Sequence, residues 1–190
     1  MTGSGRVARR RRLALAAALA LAALALWRHR GDRGPRVDPE ADVDPVGEPR
    51  ALTALAWWVP SAPRHPLARL AARIWAAPLS ALGLGLAAAS ATRPRPQAGA
   101  LVAAPADRGA FRLGFTRRGF RAVTLGHVIL AREEPDARLL AHELVHVRQA
   151  ERLGPLMALL YPGLMPVYGY ARHPMERAAR RGARAATATP

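Results

Sequence analysis

Two histidines and a glutamate fall within five residues at His142-Glu143-Leu144-Val145-His146. On a helix, a spacing of four puts both imidazoles on one face, one turn apart, where two ring nitrogens can meet one tetrahedral ion. Glu143, beside the first, can stay out of the coordination sphere and take a proton from water on that ion. The chemistry is metal-assisted hydrolysis, because a bound ion brings the pKa of water from ~15.7 to near ~7, an acidity that no side chain here supplies. Glu176, thirty residues after His146, is the candidate third ligand. It lies in His173-Pro174-Met175-Glu176, where Pro174 starts a helix and puts Glu176 at its third position. Two other readings stay open. Glu176 can answer the helix dipole or complete a capping box, although His173 is a poor substitute for the Ser or Thr that a box wants. His173 can itself be the third ligand.

Other residues near this pattern carry weaker signals. Gln149 follows His146 by three and His142 by seven and so shares their face; it can support a ligand, touch substrate, or be an exposed polar residue. Tyr168 and Tyr170 lie ahead of the Glu176 helix, where a phenol can steady an oxyanion or simply pack. His127 reads as an ordinary strand residue, and Glu151 and Arg152 as a solvated face or an ion pair.

These groups need a scaffold. Pro135-Asp136 opens a helix over Ala137–Leu153, and Gly154-Pro155 closes it. Before it, Phe111, Leu113 and Phe115 alternate with Arg112 and Gly114, Thr116–Gly119 offers a turn, and Phe120–Ala131 holds a β-branched run, a pattern that predicts a β-hairpin. Leu156–Tyr170 is apolar but broken by Pro162-Gly163 and Pro166, and reads as a core or lipid-touching connection. The expected class is α+β: a small zincin-like domain over 93–190, with a β-hairpin or short sheet, the histidine helix and a second helix carrying Glu176. One or two hydrophobic helices precede it.

Two apolar stretches lie upstream. Leu13–Trp27 follows Arg9–Arg12 and spans about 22 Å as a helix, short of a bilayer core, so residues 1–27 read as a secretory leader, a signal anchor or a non-functional extension. Ile74–Thr92, within a hydrophobic helical segment 51–92, carries no charge over about 28 Å; Arg69, Arg73, Arg93 and Arg95 bracket it, and it is expected to contact a membrane. Residues 28–50, acidic and Pro-rich from Asp32 to Pro49, read as a linker, and Arg93–Pro105 as a brief second one. If both apolar stretches span, the site faces the cytoplasm; if only one spans, or a leader is removed ahead of one span, that assignment can change, so the side stays open.

Composition narrows the function classes. All 29 cations of the 190-residue chain are Arg, and with 13 carboxylates the net charge is +16. There is no Cys and no Asn, which excludes a disulfide scaffold, a thiolate zinc finger, a thiol nucleophile and an Asn-linked glycan. Specific nucleic-acid binding is not expected, because only Phe111, Phe115 and Phe120 offer stacking groups among these arginines. Lipid headgroups explain Arg93, Arg95, Arg117, Arg118 and Arg121 with fewer assumptions.

The helix-borne HExxH with a later Glu resembles the gluzincin branch of zinc metallopeptidases. Together with Thr124–Ala131 and Glu151–Leu156, it is similar to an uncharacterised bacterial group of short, membrane-associated HExxH proteins with a downstream Asn-Pro-x-Glu-x-x-Ala segment. The resemblance covers about residues 78–180; His173 departs from it, standing where that group has Asn. It implies one zinc ion held by His142, His146 and Glu176, with Glu143 as general base, in a bacterial cell membrane, acting on peptide or protein substrates. Gln149, Tyr170 and His173 are the further candidates for contact around the ion. A non-catalytic zinc-binding membrane protein is the alternative.

Overall fold

The computed structural model describes residues 47–188. The leader or anchor 1–27 and nearly all of the Pro/acidic linker lie outside the described residues. The fold is α+β, with a small four-stranded mixed sheet among helices.

Helix α1 (Arg50–Trp57) is followed by α2 (Pro66–Ala89), which starts on Pro66 with the His65 ring accepting from the Leu67 N–H at 3.3 Å. At 24 residues α2 is long and apolar enough to cross a membrane, a property it shares with core helices. Strands β1 (Arg95–Gln97) and β2 (Ala100–Ala103) then pair antiparallel. The stretch Arg93–Pro105 is therefore sheet, not a linker; Pro96 is tolerated because β1 is an edge strand.

The expected hairpin also shifts. Gly109–Gly114 forms a short helix, α3, followed by a 3₁₀ turn at Thr116–Arg118. The alternation of Phe111, Leu113 and Phe115 conceals a helical pair: Phe111 and Phe115, four apart, stack at 5.5 Å, while Leu113 points to solvent at 58% exposure. The hairpin lies wholly within the second run, as β3 (Ala122–Leu125) and β4 (Val128–Ala131), with Leu125 opposite Val128. Its two-residue loop needs Gly126, whose φ is 63° and whose missing Cβ leaves room for Ser80 Oγ. Sheet order is β1-β2-β4-β3, with β2 and β4 parallel.

β4 is buried on both faces. Val128 and Leu130 pack with Phe111, Ala87 and Ala103 toward α2 and α3; Ile129 and Ala131 pack with Val102 and Val147 toward α4 (Ala137–Leu153). A third core joins Ala76 and Leu79 of α2 to Ala150 of α4 and to Met157 and Met175. The last two belong to α5 (Met157–Arg172), which follows a 3₁₀ turn at Gly154–Leu156, and to α6 (Pro174–Thr187). The interrupted segment 156–170 is thus mostly helical, with Pro162 and Pro166 inside α5 and a kink at Gly169 (φ 62°).

Gly83 lets α2 approach the sheet. A Cβ there would lie 2.7 Å from Val128 Cβ, whereas one at Gly85 meets nothing within 4 Å. Gly83→Leu is expected to destabilise by about 1–3 kcal/mol through overpacking. Gly85→Ala should stabilise by about 0.5–1 kcal/mol, because Gly in a helix costs that much relative to Ala. Thermal denaturation followed by circular dichroism reads both; equal shifts of the same sign would contradict this packing.

Candidate metal centre

α4 begins where the sequence places it: Asp136 accepts from the Leu139 N–H at 2.7 Å, and Arg121 lies 3.2 Å from the same carboxylate. The Leu139 N–H, together with Arg121, holds the Asp136 carboxyl below its usual range. One turn in, His142 and His146 stand with ring centroids 5.0 Å apart. α6 packs across this face and delivers Glu176 between them. His142 Nε2 lies 3.2 Å from Glu176 Oε2, and His146 Nε2 lies 3.1 Å from Oε1.

His142, His146 and Glu176 offer ligand atoms within 4.8 Å of one another and could hold a metal ion. A tetrahedral ion with bonds of about 2.0–2.1 Å keeps its donors about 3.3 Å apart, close to the separations here. Oε2 of the buried Glu176 lies 3.2 Å from His142 Nε2 without the alignment of a good hydrogen bond, and is an acceptor left for a cation. The donor set fits the group.

The surrounding contacts orient these donors. His146 Nδ1–H donates to Gln149 Oε1 at 2.9 Å, since an amide oxygen only accepts, and this turns Nε2 toward Glu176. Gln149 is fully buried, so of its three readings the exposed polar one is excluded. Glu143 is buried, and its Oε2 accepts from the Thr124 hydroxyl on β3 at 2.6 Å. Tyr161, which the sequence reading passed over, donates its hydroxyl to Glu176 Oε1 at 2.6 Å. Tyr170 packs edge-on to Phe120 at 5.7 Å. His173 is buried, and its Nε2 lies 3.0 Å from the Tyr161 carbonyl, outside the converging triad.

Electrostatics follow from this packing. Burial disfavours the Glu176 charge, but His146 and His142 outweigh it and hold the carboxyl well below its usual range. Burial likewise opposes charge on His146, yet Glu176 beside it prevails and pushes it up to about 9. Burial, with the Glu176 charge second, raises both Tyr161 and Tyr170 and keeps them neutral donors. Burial lowers His173 to about 4.

The sign for His146 sets a pH dependence. Its folded value lies above the unfolded 6.5, so without metal its pair with Glu176 stabilises fully below about 6.5 and loses that contribution as pH rises through about 9. A cation must displace this proton. Metal affinity should therefore rise with pH up to about 9, and calorimetry at pH 7 in buffers of different ionisation enthalpy should register proton release. Pure metal uptake without release would contradict it.

Two further assignments change. His127 sits in the β3–β4 loop, not in a strand, with Nε2 3.1 Å from Glu151 Oε1. Of the two readings of Glu151 the ion pair holds and the solvated face does not: it is buried, and burial disfavours its charge, but His127 and Arg148, the latter at 2.6 Å, lower its pKa. Arg152 is exposed, as expected. The signal for Glu151 was its spacing of three from Arg148 and four from Val147, a core position.

No known family, curated protein or solved structure matches the chain.

Proposed function

We propose that this protein is a membrane-associated zinc-dependent peptidase of zincin-like, gluzincin-type design. The observation that carries this reading is the meeting of His142 Nε2, His146 Nε2 and the two Glu176 oxygens at 3.1–3.2 Å. Two imidazoles and one carboxylate, with a fourth position open, are a donor set that suits catalytic zinc. When bound, the ion polarises a carbonyl and acidifies water.

The chain's own groups supply the rest. Thr124 fixes Oε2 of Glu143 and leaves Oε1 outside that bond, so Glu143 can take a proton from attacking water and hand it to the leaving amine. β3 is an edge strand, and an extended peptide can pair along it. Thr124 ties that edge to Glu143, so a backbone held there passes the base. Tyr170, kept neutral beside Glu176, can donate to an oxyanion as the carbonyl opens, while Tyr161 keeps its one hydroxyl proton on Glu176. Location in a bacterial cell membrane belongs to the same reading.

A peptide-library screen of the zinc-loaded full chain tests it. Cleavage that a chelator removes and zinc restores is the expected result; zinc-independent cleavage, or none by a zinc-loaded chain, would overturn the peptidase assignment.

A further inference from the structure

A second polar cluster lies behind α4, away from the metal ligands, and borders a cavity of about 430 Å³. The cavity opens between Arg73, Ala77 and Ser80 of α2, Gly99 and Leu101 beside the β1–β2 turn, and His127 of the β3–β4 loop. Ser80 Oγ accepts from the His127 backbone N–H at 2.9 Å and lies 3.5 Å from its Nδ1, and Glu151 holds Nε2 of the imidazole at 3.1 Å. Arg148 answers Glu151 at 2.6 Å, with Nη2 tucked beside Gly99. Arg95 and Arg121 likewise have carboxylate partners, Glu134 and Asp136. Arg73 has none among the described residues, so the cavity carries one unmatched positive charge in a mainly apolar wall.

The apolar wall continues along α2. Leu70, Ala77 and Leu84 are seven apart, two helical turns, and form one line with Arg73 and Ser80 alongside. Leu70 and Leu84 are 55% and 43% exposed, and Leu67 and Ile74 extend the bare stripe. The opposite face is committed to the body of the protein. Ala76, Leu79, Gly83 and Ala87 are buried, and Trp75 Nε1 donates to the Arg152 carbonyl at 3.3 Å. A helix fastened along its length to a sheet and to α4 cannot enter hydrocarbon without taking strand edges and loops with it. On the membrane association proposed above, the surface that α2 has left to offer a bilayer is its outer stripe, as an interfacial helix, with the cavity at headgroup depth.

We propose that this cavity binds the headgroup of an anionic membrane amphiphile, with the acyl chain lying along Leu70, Ala77 and Leu84. Arg73 takes the phosphate or carboxylate; Ser80 and the imidazole of His127, fixed by Glu151, form the polar floor. The proposal extends the membrane part of the function above and is independent of the metal chemistry.

Photolabelling tests it, because the full chain also carries the apolar stretch 13–27, and mapping the label separates the two. The zinc-loaded full chain is irradiated with a diazirine-bearing phosphatidylglycerol, and the labelled peptides are identified by mass spectrometry. Label is expected on residues 70–84 and 96–101, displaced by phosphatidylglycerol but not by equal phosphatidylcholine or inorganic phosphate. Arg73→Gln should reduce it about fivefold, the effect of one cation–headgroup contact. Ala77→Phe, which fills the cavity from an exposed position, should reduce it at least as much, and neither variant should alter zinc content or melting temperature. Label confined to residues 1–46, label unaffected by both variants, or equal displacement by phosphatidylcholine or by inorganic phosphate would each overturn the site. Loss of zinc in all forms would instead indict the metal reading.

Discussion

Glu143→Gln should lower kcat/KM for any peptide the wild type cleaves by about 10²–10⁴-fold, the usual worth of a positioned general base. Zinc content should stay unchanged, because Glu143 is not among the three groups that converge, His142, His146 and Glu176. The substitution keeps volume, and the amide oxygen can still accept from the Thr124 hydroxyl that holds Oε2 at 2.6 Å. Only the proton-accepting carboxylate is lost. Steady-state kinetics beside metal analysis read both quantities. Unchanged cleavage in the variant would remove Glu143 from the chemistry, and a zinc-loaded wild type without cleavage would favour the non-catalytic zinc-binding alternative.

Glu48→Ala should destabilise the fold by about 3–5 kcal/mol, the cost of breaking a buried ion pair by removing one partner. Glu48 meets Arg177 Nη1 at 2.7 and 2.9 Å, and both side chains are at most 2% exposed. Arg177 follows Glu176, so this pair fastens the segment ahead of α1 to the helix carrying Glu176. Four residues on, Arg181 donates to the Ala56 carbonyl at 2.7 Å and lies 3.8 Å over the Trp57 ring. A drop in melting temperature of roughly 10 °C is expected for a chain of this size. Replacing both partners, as Glu48→Leu with Arg177→Met, should recover most of it, since apolar packing then takes the place of the buried ion pair. A single variant that melts with the wild type would show that the pair contributes nothing.

The helix carrying His142 and His146 was legible because its signals are local. Asp136 after Pro135, a four-residue histidine spacing and Gly154-Pro155 set both ends of α4 and its reactive face without tertiary help. Glu176 was legible for a related reason, since Pro174 fixes the register of α6. What failed depends on partners remote in sequence. β1 and β2 are short, and Pro96 masks an edge strand that exists only because β4 pairs with β2. The Phe111–Phe115 run satisfies both a period of two and a spacing of four, and Phe111 is buried against a core that includes Ala87 and Val128. Tyr161 lay hidden beside Pro162-Gly163, read as a break, yet α5 runs through and sets its hydroxyl on Glu176. Glu48 belonged to an apparent linker, and nothing near it announces that Arg177 waits 129 residues on.

Zinc bound per chain at equilibrium, measured for wild type, Glu176→Ala and Glu176→Asp after dialysis against buffered zinc at pH 7.5, addresses the shared ion most directly. One ion in the wild type, sharply weakened binding in the alanine form and partial recovery in the aspartate form are expected. A wild type that takes up none, or an alanine form that binds as tightly as the wild type, would contradict it.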